Sequence, residues 1–262
     1  MINNVLLIWW IKILGKFIPD YAYTLIKRHL LAPTPTAAKW PKSAKRVVYH
    51  TKYGSVRTYT LGRGPTIWLV HGWADAYQYM PLVNKLVDNG YCCVAMEFLP
   101  SDKTQKRFVS LPCWTNVFDI ATRHLEAPSH VLTYGVATTI LGNSKWFSRY
   151  QGDLTLVSPT LDFYAGLERF FRRHTLPLKL LTCLVREAQD KENVHIKSLN
   201  VTSAIEQFDG RMSVFYSKSD DTSTVKFIRS LSDKENRKIV EFKGASTCKI
   251  LRSRSLLASV QA

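Results

Sequence analysis

Residues 65–100 read PTIWLVHGWADAYQYMPLVNKLVDNGYCCVAMEFLP and contain two apolar runs on either side of a segment with helical character. The runs at 66–70 and 91–98 lack the alternation of apolar and polar residues that a half-exposed strand shows. Short runs of this kind are typical of parallel strands that are covered on both faces. The stretch therefore predicts a strand, a helix over 82–89 and a second strand.

The same alternation of strand-like and helix-like segments continues from residue 45 onward. Residues 46–54 and 56–64 predict a hairpin with Gly54 near its turn, and residues 114–125 carry an apolar stripe at helical spacing. Further strands are predicted at 130–134, 154–159, 212–217 and 238–243. The pattern predicts an α/β fold with a mostly parallel central sheet and helices on both faces. A helical section at about 162–209 predicts a cap inserted after the sixth strand.

Composition and charge narrow the class of protein. A chain of 262 residues with a hydrophobic fraction of 46% suits one large domain with a sizeable core. The formal net charge of +16 implies attraction to an anionic partner, either nucleic acid or an anionic membrane face. The basic residues lack a zinc finger, an RNA-binding motif or a basic heptad helix, so a membrane surface is favoured over nucleic acid, and a merely solvated charge stays open as the alternative. Five scattered cysteines without a CxxC pair indicate reduced thiols in a cytoplasmic protein.

The N-terminal segment, residues 1–32, differs in kind from the rest of the chain. Its apolar run from Val5 to Leu14 is broken only by Lys12 and is shorter than the roughly 20 residues that an unaided membrane span needs. Cations lie within and after this run rather than before it, which argues against a cleaved signal peptide. Tryptophan and tyrosine residues, which favour the lipid headgroup layer, are frequent in the segment.

Two interpretations of this segment stay open from the sequence. It forms either an apolar or amphipathic helix that packs on the domain, or an interfacial membrane anchor on the cytoplasmic side. Residues 33–44, which are rich in proline and alanine, are the predicted linker, and residues 45–262 are the predicted α/β domain.

The 65–100 stretch resembles the first half of an α/β-hydrolase core. In that family a strand ends in His-Gly, here His71 and Gly72, and the next backbone amide, here that of Trp73, helps to form an oxyanion hole. The resemblance continues through a strand-to-helix turn, the cap, an acid-bearing strand end and a final loop, and it covers roughly residues 45–260. It implies a small hydrolase with a triad of serine, acid and histidine.

The nucleophile position that this resemblance implies lies in residues 135–139. A Gly-x-Ser-x-Gly turn exposes the serine oxygen on a strained backbone, and the motif places Ala137 where the serine is expected. A methyl group cannot attack a carbonyl carbon, so covalent catalysis from Ala137 is excluded. The backbone amide of Thr138 stays a candidate for the oxyanion hole, together with that of Trp73.

The other two triad positions are also altered. The resemblance places the histidine at Thr247, and threonine has no pKa near neutrality with which to act as general base. The chain has seven histidines and none follows His195, so no small shift of the motif supplies one. The acid position falls on Asp220 or Asp221, although either carboxylate also fits a helix N-cap.

Other reactive side chains near the expected site have no evident catalytic partner. His71 is interpreted as structural, and the hydroxyls of Thr138 and Thr139 are expected to point into the following helix. Cys92 and Cys93 lie in a predicted strand without a recognisable base. No metal-ligand spacing, P-loop or dinucleotide-binding glycine motif occurs, so neither a metal nor a cofactor is predicted.

These features predict a non-catalytic, hydrolase-like protein with a degenerate triad, held at the cytoplasmic face of a membrane. Its expected partners are an anionic membrane surface, contacted through the N-terminal segment, and a protein or lipid bound through the old cleft or the cap. The sequence does not define an oligomeric state. The alternative is an active carboxylic-ester or acyl hydrolase that uses non-standard catalytic residues.

Overall fold

The computed structural model describes residues 5–29, 40–52, 54–71, 76–99, 111–192, 195–217, 220, 222–231, 234–243 and 247–261. Eight strands in these residues form one sheet: β1 (Lys45–Thr51), β2 (Gly54–Gly62), β3 (Thr66–His71), β4 (Cys92–Leu99), β5 (His130–Tyr134), β6 (Asp153–Val157), β7 (Met212–Ser217) and β8 (Arg237–Phe242). Their spatial order is β1-β2-β4-β3-β5-β6-β7-β8.

Most strand pairs of this sheet are parallel. β1 and β2 form an antiparallel hairpin in which Thr51 pairs with Gly54, and β2 runs antiparallel to β4. From β4 to β8 every pair is parallel. The predicted mostly parallel sheet and the hairpin near Gly54 are confirmed. Parallel strands end at a common carboxyl edge, which is where ligands bind in α/β sheets of this kind.

Helices lie on both faces of the sheet. They are α1 (Val5–Phe17), α2 (Pro19–His29), α3 (Met80–Asp88), α4 (Leu111–Ala121), α5 (Ala137–Gly142), α6 (Phe163–Arg173), α7 (Leu178–Glu192), α8 (Thr202–Glu206), α9 (Thr222–Ser230), α10 (Thr247–Leu251) and α11 (Arg254–Gln261). Helices α6 to α8 fall between β6 and β7, within the section that the sequence assigns to a cap.

Two apolar cores form because the strands alternate their side chains between the two faces of the sheet. In β3, Trp68 and Val70 pack in the core that contains the buried residues of α4, α5 and α9. Ile67 and Leu69 point to the other core, which contains buried residues of α3, α10 and α11. All of β3 is buried, which explains the absence of polar alternation in its sequence.

Two elements end earlier than the sequence predicts. α4 ends at Ala121 and is followed by a short 3₁₀ turn at Thr122–His124. The predicted apolar stripe is buried up to Ala121, and Leu125 is half-buried. β6 ends at Val157, because Ser158 takes a left-handed backbone with a φ of 42° and cannot continue the strand.

The N-terminal segment forms two helices rather than one. Pro19 begins α2, where its missing N–H would have no partner inside the helix in any case. Helices α1 and α2 contribute Ile11, Ala22 and Ile26 to a third apolar cluster, which they share with α6 and α7. No helix in the described part of the chain is long and apolar enough to cross a membrane. Most of the predicted linker, up to residue 39, lies outside the described residues.

Candidate active site

The carboxyl edge of the sheet assembles the candidate site from four neighbouring strands. β3 ends at His71, β5 at Tyr134, β6 at Val157 and β7 at Ser217. His71, Tyr134 and Val157 are aligned in register, so the chain turns that follow these strands meet at the same edge. The sequence placed its triad-equivalent positions at the ends of strands, and the topology brings those strand ends together.

The turn after β5 has a left-handed backbone at Gly135, whose φ is 57°. Three backbone hydrogen bonds hold this residue: its N–H donates to the Val157 carbonyl at 3.0 Å, and its carbonyl accepts from the N–H groups of Thr160 at 3.0 Å and Thr138 at 3.1 Å. A Cβ atom built on Gly135 meets nothing within 4 Å. The turn therefore has a left-handed backbone, as a nucleophile elbow has, and room for a side chain, but it carries a glycine, which adopts this backbone without strain.

Ala137 lies two residues further along, as the first residue of α5. It is completely buried in the core between the sheet and α4. The assignment of Ala137 as the nucleophile-equivalent position stays a prediction from the motif. The backbone geometry supports Gly135 as an alternative nucleophile-equivalent position. Neither residue has an atom that can act as a nucleophile.

The two threonines that follow use their hydroxyls inside the protein. Thr138 and Thr139 are completely buried. The Thr138 Oγ1 lies 2.9 Å from the Thr133 Oγ1 on β5, and the Thr139 hydroxyl donates to the Thr160 carbonyl at 2.6 Å. They were expected to point into the following helix; instead they tie the start of α5 to β5 and to the segment after β6.

Of the two candidate oxyanion-hole amides, that of Thr138 lies within the described residues. The Thr138 N–H donates to the Gly135 carbonyl at 3.1 Å, within the turn itself. Trp73, the other candidate, lies outside the described residues. The described amide is therefore engaged by the protein's own backbone in this conformation.

His71 lies at the end of β3 in an aromatic environment. Its side chain is 1% exposed, and its ring makes edge contacts with Tyr79 and Tyr134 at centroid distances of 5.4 and 5.2 Å. Burial raises the pKa of Tyr79 well above its usual value, and its hydroxyl donates to the Val70 carbonyl at 3.1 Å. This packing supports the interpretation of His71 as a structural residue.

Of the predicted acid and base positions, the structure shows side-chain contacts for Asp220. The Asp220 Oδ2 accepts the Ser217 N–H at 2.8 Å, and the Asp220 N–H donates to the Ser217 carbonyl at 2.8 Å. Asp220 thus closes a tight turn at the end of β7. Asp221 lies outside the described residues, and Thr247 is described only as the first residue of α10.

Ser158 is a site residue that the sequence did not single out. It follows β6, has a φ of 42°, and its N–H donates to the Phe215 carbonyl at 2.7 Å. Its hydroxyl oxygen is buried and has no hydrogen-bond partner among the described residues. A left-handed backbone in a non-glycine residue is a marker of strain at functional sites. The sequence shows only the end of an apolar run before Pro159, which does not reveal a φ angle.

The remaining reactive side chains in the described residues form no second catalytic or metal-binding centre. Cys93 is 1% exposed, and burial raises the pKa of its thiol to about 12, which makes it a poor nucleophile. Within the described residues, no group of His, Cys, Asp and Glu side chains is arranged to hold a metal ion.

Comparison with known proteins identifies the fold. No family model and no curated protein matches the chain. Among solved structures, the thioesterase domain from the curacin biosynthetic pathway is 11% identical, with a TM-score of 0.58 over 84% of this chain and 100% of that one. A probable hydrolytic enzyme from Pseudomonas aeruginosa PAO1 is 13% identical, with a TM-score of 0.59 over 88% of this chain and 100% of that one.

A third solved structure matches almost the whole chain. It is described as a membrane phospholipase A and a bacterial virulence factor, and it is 15% identical with a TM-score of 0.57 over 98% of this chain and 94% of that one. The chain is an α/β-hydrolase-fold protein. At these identities the likeness establishes the fold and transfers no activity.

Proposed function

We propose that this chain is a non-catalytic α/β-hydrolase-fold protein that acts at a membrane surface as a binding or interaction protein. The observation that carries the proposal is the turn at Gly135, which combines a φ of 57° with open space around a would-be Cβ. This is the place from which a nucleophile would project, and glycine has no side chain to project. The nucleophile-equivalent position is then Gly135 rather than Ala137, and the loss of the nucleophile holds for both assignments.

The other triad positions support the same proposal. A general base is needed to take the proton of a serine, and the chain has no histidine after His195. Asp220 uses its carboxylate to close the turn after β7. A scaffold in which these groups serve the fold is suited to binding a ligand at the sheet edge without converting it.

A membrane location is part of the proposal. The net charge of +16 favours an anionic surface, and the N-terminal helices carry exposed aromatic side chains such as Trp9 and Trp10. The solved structure that matches nearly the whole chain is described as a membrane phospholipase A. We propose a peripheral attachment at the cytoplasmic face of the membrane. Nucleic acid has no comparable support.

A second candidate function is that of an active ester or acyl hydrolase with non-standard catalytic residues. The comparisons taken alone favour it, because the solved neighbours are described as a thioesterase, carboxylesterases, a lipase and epoxide hydrolases. The specific observation in its favour is Ser158, whose strained backbone and buried hydroxyl lie beside the Gly135 turn. We rank it second because the family's base position falls on Thr247, and His71, the histidine at this sheet edge, is buried against Tyr79 and Tyr134.

Labelling with a fluorophosphonate probe, together with a panel of p-nitrophenyl esters, separates the two candidates. The non-catalytic protein is expected to give no stoichiometric label and no turnover above the uncatalysed rate. Turnover that is abolished by Ser158→Ala, Thr138→Val or His71→Phe, and retained in the surface control Ser148→Ala, would establish the second candidate. Each variant is first checked for a cooperative unfolding transition, so that loss of folding is not counted as loss of activity.

A further inference from the structure

The N-terminal helices are docked on the cap rather than detached from the domain. Ile11 and Ile26 are completely buried against a cluster that includes Leu180. The Tyr23 hydroxyl donates to the Glu187 carboxylate, which joins α2 to α7. The helices and the cap therefore form one packed unit.

A glycine allows α1 to approach the cap closely. A Cβ atom on Gly15 would lie 2.9 Å from Pro177 Cγ and 3.2 Å from Leu180 Cδ1. These distances leave no room for a larger side chain without a shift of α1 or of the cap. One side of α1 is thus committed to the protein interior.

The opposite side of α1 and the turn into α2 form an exposed apolar surface, which we call the outer face. Trp9, Trp10 and Phe17 are 55%, 53% and 79% exposed. Their spacing along the helix places them on one side of α1, away from Ile11 and Gly15. The whole outer face consists of Leu6, Trp9, Trp10, Phe17, Ile18 and Tyr21.

Such a surface marks an interaction site, because contact between large apolar side chains and water is unfavourable in free energy. Single exposed apolar residues are common, but six of them gathered on one short helical hairpin are not. Tryptophan and tyrosine have an apolar ring with a polar group at one end, which suits the boundary between lipid chains and headgroups. The composition of the outer face therefore fits a bilayer interface.

Cations flank the outer face. Lys12 and Lys16 lie one turn apart on α1, on the strip between the outer face and the side that packs on the cap. Burial, and then the charges of Arg173 and Lys12, lower the pKa of His174, so cations of α1 and α6 lie near the same imidazole. Residues 1–46 contain eight cations and a single carboxylate, Asp20. This charge complements an anionic lipid surface.

We propose that the outer face lies in the headgroup layer of an anionic bilayer, with α1 parallel to the membrane plane and the cap on the side of α1 that faces away from the lipid. The parallel orientation follows because one side of α1 is covered by the protein and only the other is available to lipid. The inference rests on the membrane part of the proposed function and is independent of whether the sheet edge is catalytic. It joins the two interpretations of the N-terminal segment, since the same helices pack on the domain and present the lipid-binding surface.

Co-sedimentation of the full chain with vesicles tests the proposal. Binding is expected to vesicles of phosphatidylcholine mixed with phosphatidylglycerol, and to be several-fold weaker with phosphatidylcholine alone. The double variant Trp9→Ser/Trp10→Ser is expected to lose at least about tenfold in binding. Tyr77→Ser changes an exposed aromatic residue on the body of the domain and is expected to bind as the unaltered protein does.

Charge reversal tests the cationic part of the surface. Lys16→Glu/Arg173→Glu is expected to weaken binding to the anionic vesicles about tenfold or more and to reduce its dependence on salt. Lys85→Glu/Lys238→Glu makes the same change of net charge at two exposed positions elsewhere and serves as the matched control. If both charge variants lose binding equally, net charge rather than this surface attracts the protein, and the proposal fails.

Two further results would overturn the proposal. One is vesicle binding by Trp9→Ser/Trp10→Ser that equals that of the unaltered protein. The other is a concentration-dependent dimer in analytical ultracentrifugation that the same variant abolishes, without any binding to vesicles, because the outer face would then be an interface between copies of the chain. Ester turnover measured on the same samples reports on the non-catalytic proposal separately.

Discussion

The Gly135 turn and the outer face of the N-terminal helices differ in how completely their chemical groups are satisfied by the protein. At the turn, the Gly135 carbonyl and the hydroxyls of Thr138 and Thr139 have partners inside the protein. At the outer face, large apolar side chains such as Trp9 face solvent. The turn uses these polar groups within the fold, whereas the N-terminal helices expose a large apolar surface to solvent.

This difference separates groups that serve the fold from side chains that the fold does not require. A glycine in a left-handed turn and a buried threonine pair stabilise a fold, and neither requires a substrate. Exposed tryptophans do not stabilise the folded chain and have a purpose only when something covers them. In the proposed function, the hydrolase-fold scaffold serves as a platform for a membrane-binding surface.

The largest expected change in the free energy of unfolding comes from substitutions on the two sides of α1. Ile11→Ala removes buried contacts with the cap and is expected to lower the free energy of unfolding by about 3 kcal/mol. Trp9→Ser, two residues away on the exposed side, is expected to change it by less than about 0.5 kcal/mol. Urea unfolding of both variants provides the measurement. Equal destabilisation by the two changes would mean that α1 does not have a packed and an exposed side.

The amino end of β5 gives an effect of similar size that depends on pH. His130 is buried, its Nε2 lies 2.8 Å from the Thr155 Oγ1, and burial lowers the pKa of its imidazole to about 4. The unfolded chain has a histidine pKa near 6.5, so the folded state binds fewer protons. Stability is then fully present above about pH 6.5 and falls by about 3 kcal/mol as the pH drops to about 4.

Urea unfolding between pH 7 and pH 4, compared between the unaltered protein and His130→Gln, isolates this contribution. Glutamine keeps a hydrogen-bonding group but does not titrate. We expect the difference between the two pH profiles to appear below about pH 6.5. Parallel profiles over the whole range would show that His130 is not held neutral by burial.

The threonine pair under the Gly135 turn has an expected effect of intermediate size. Thr138→Val leaves the Thr133 hydroxyl buried without its partner and is expected to cost about 2 kcal/mol. The double variant Thr133→Val/Thr138→Val removes both hydroxyls and is expected to recover part of that loss. A double-mutant cycle in urea measures the coupling. Additive single effects would mean that the two hydroxyls do not serve as each other's partners.

The smallest expected effect concerns Gly135 itself. Gly135→Ala places a Cβ in open space but forces a non-glycine residue to a φ of 57°, so the cost is limited to backbone strain of about 1 kcal/mol. Gly142→Ala provides the contrast, because its Cβ would lie 2.7 Å from two side-chain atoms of Val201. We expect the Gly142 variant to be less stable than the Gly135 variant in thermal unfolding. The reverse order would contradict the left-handed, open geometry of the turn.

Much of the sheet could be predicted from the sequence, because strands covered on both faces lack polar alternation. The run at 66–70 became the buried strand β3, and the hairpin at Gly54 followed from its alternation and its turn residue. The positions of the candidate site followed from the order of the strand ends. These signals depend on residues that are near one another in the sequence, so they can be recognised from one sequence alone.

The remaining features depend on backbone angles and on contacts between distant residues. Nothing in YGVATT distinguishes a left-handed Gly135 from an elbow centred on Ala137, because a glycine accepts many conformations. The cluster that contains Ile11 and Leu180 joins residues far apart in the chain, so the sequence alone allows two interpretations of the N-terminal segment. Ser158 is likewise not evident from the sequence, because its distinguishing feature is a backbone angle, a φ of 42°.

Fluorophosphonate labelling of the protein while it is bound to phosphatidylglycerol-containing vesicles gives the most direct test. Vesicles are included because a hydrolase that needs lipid contact would be silent in solution and active on the membrane. We expect the protein to sediment with the vesicles and to remain unlabelled both in their presence and in their absence. Stoichiometric labelling of one serine on the vesicles, lost in Ser158→Ala, would show that the sheet edge has kept a nucleophile and would contradict the account.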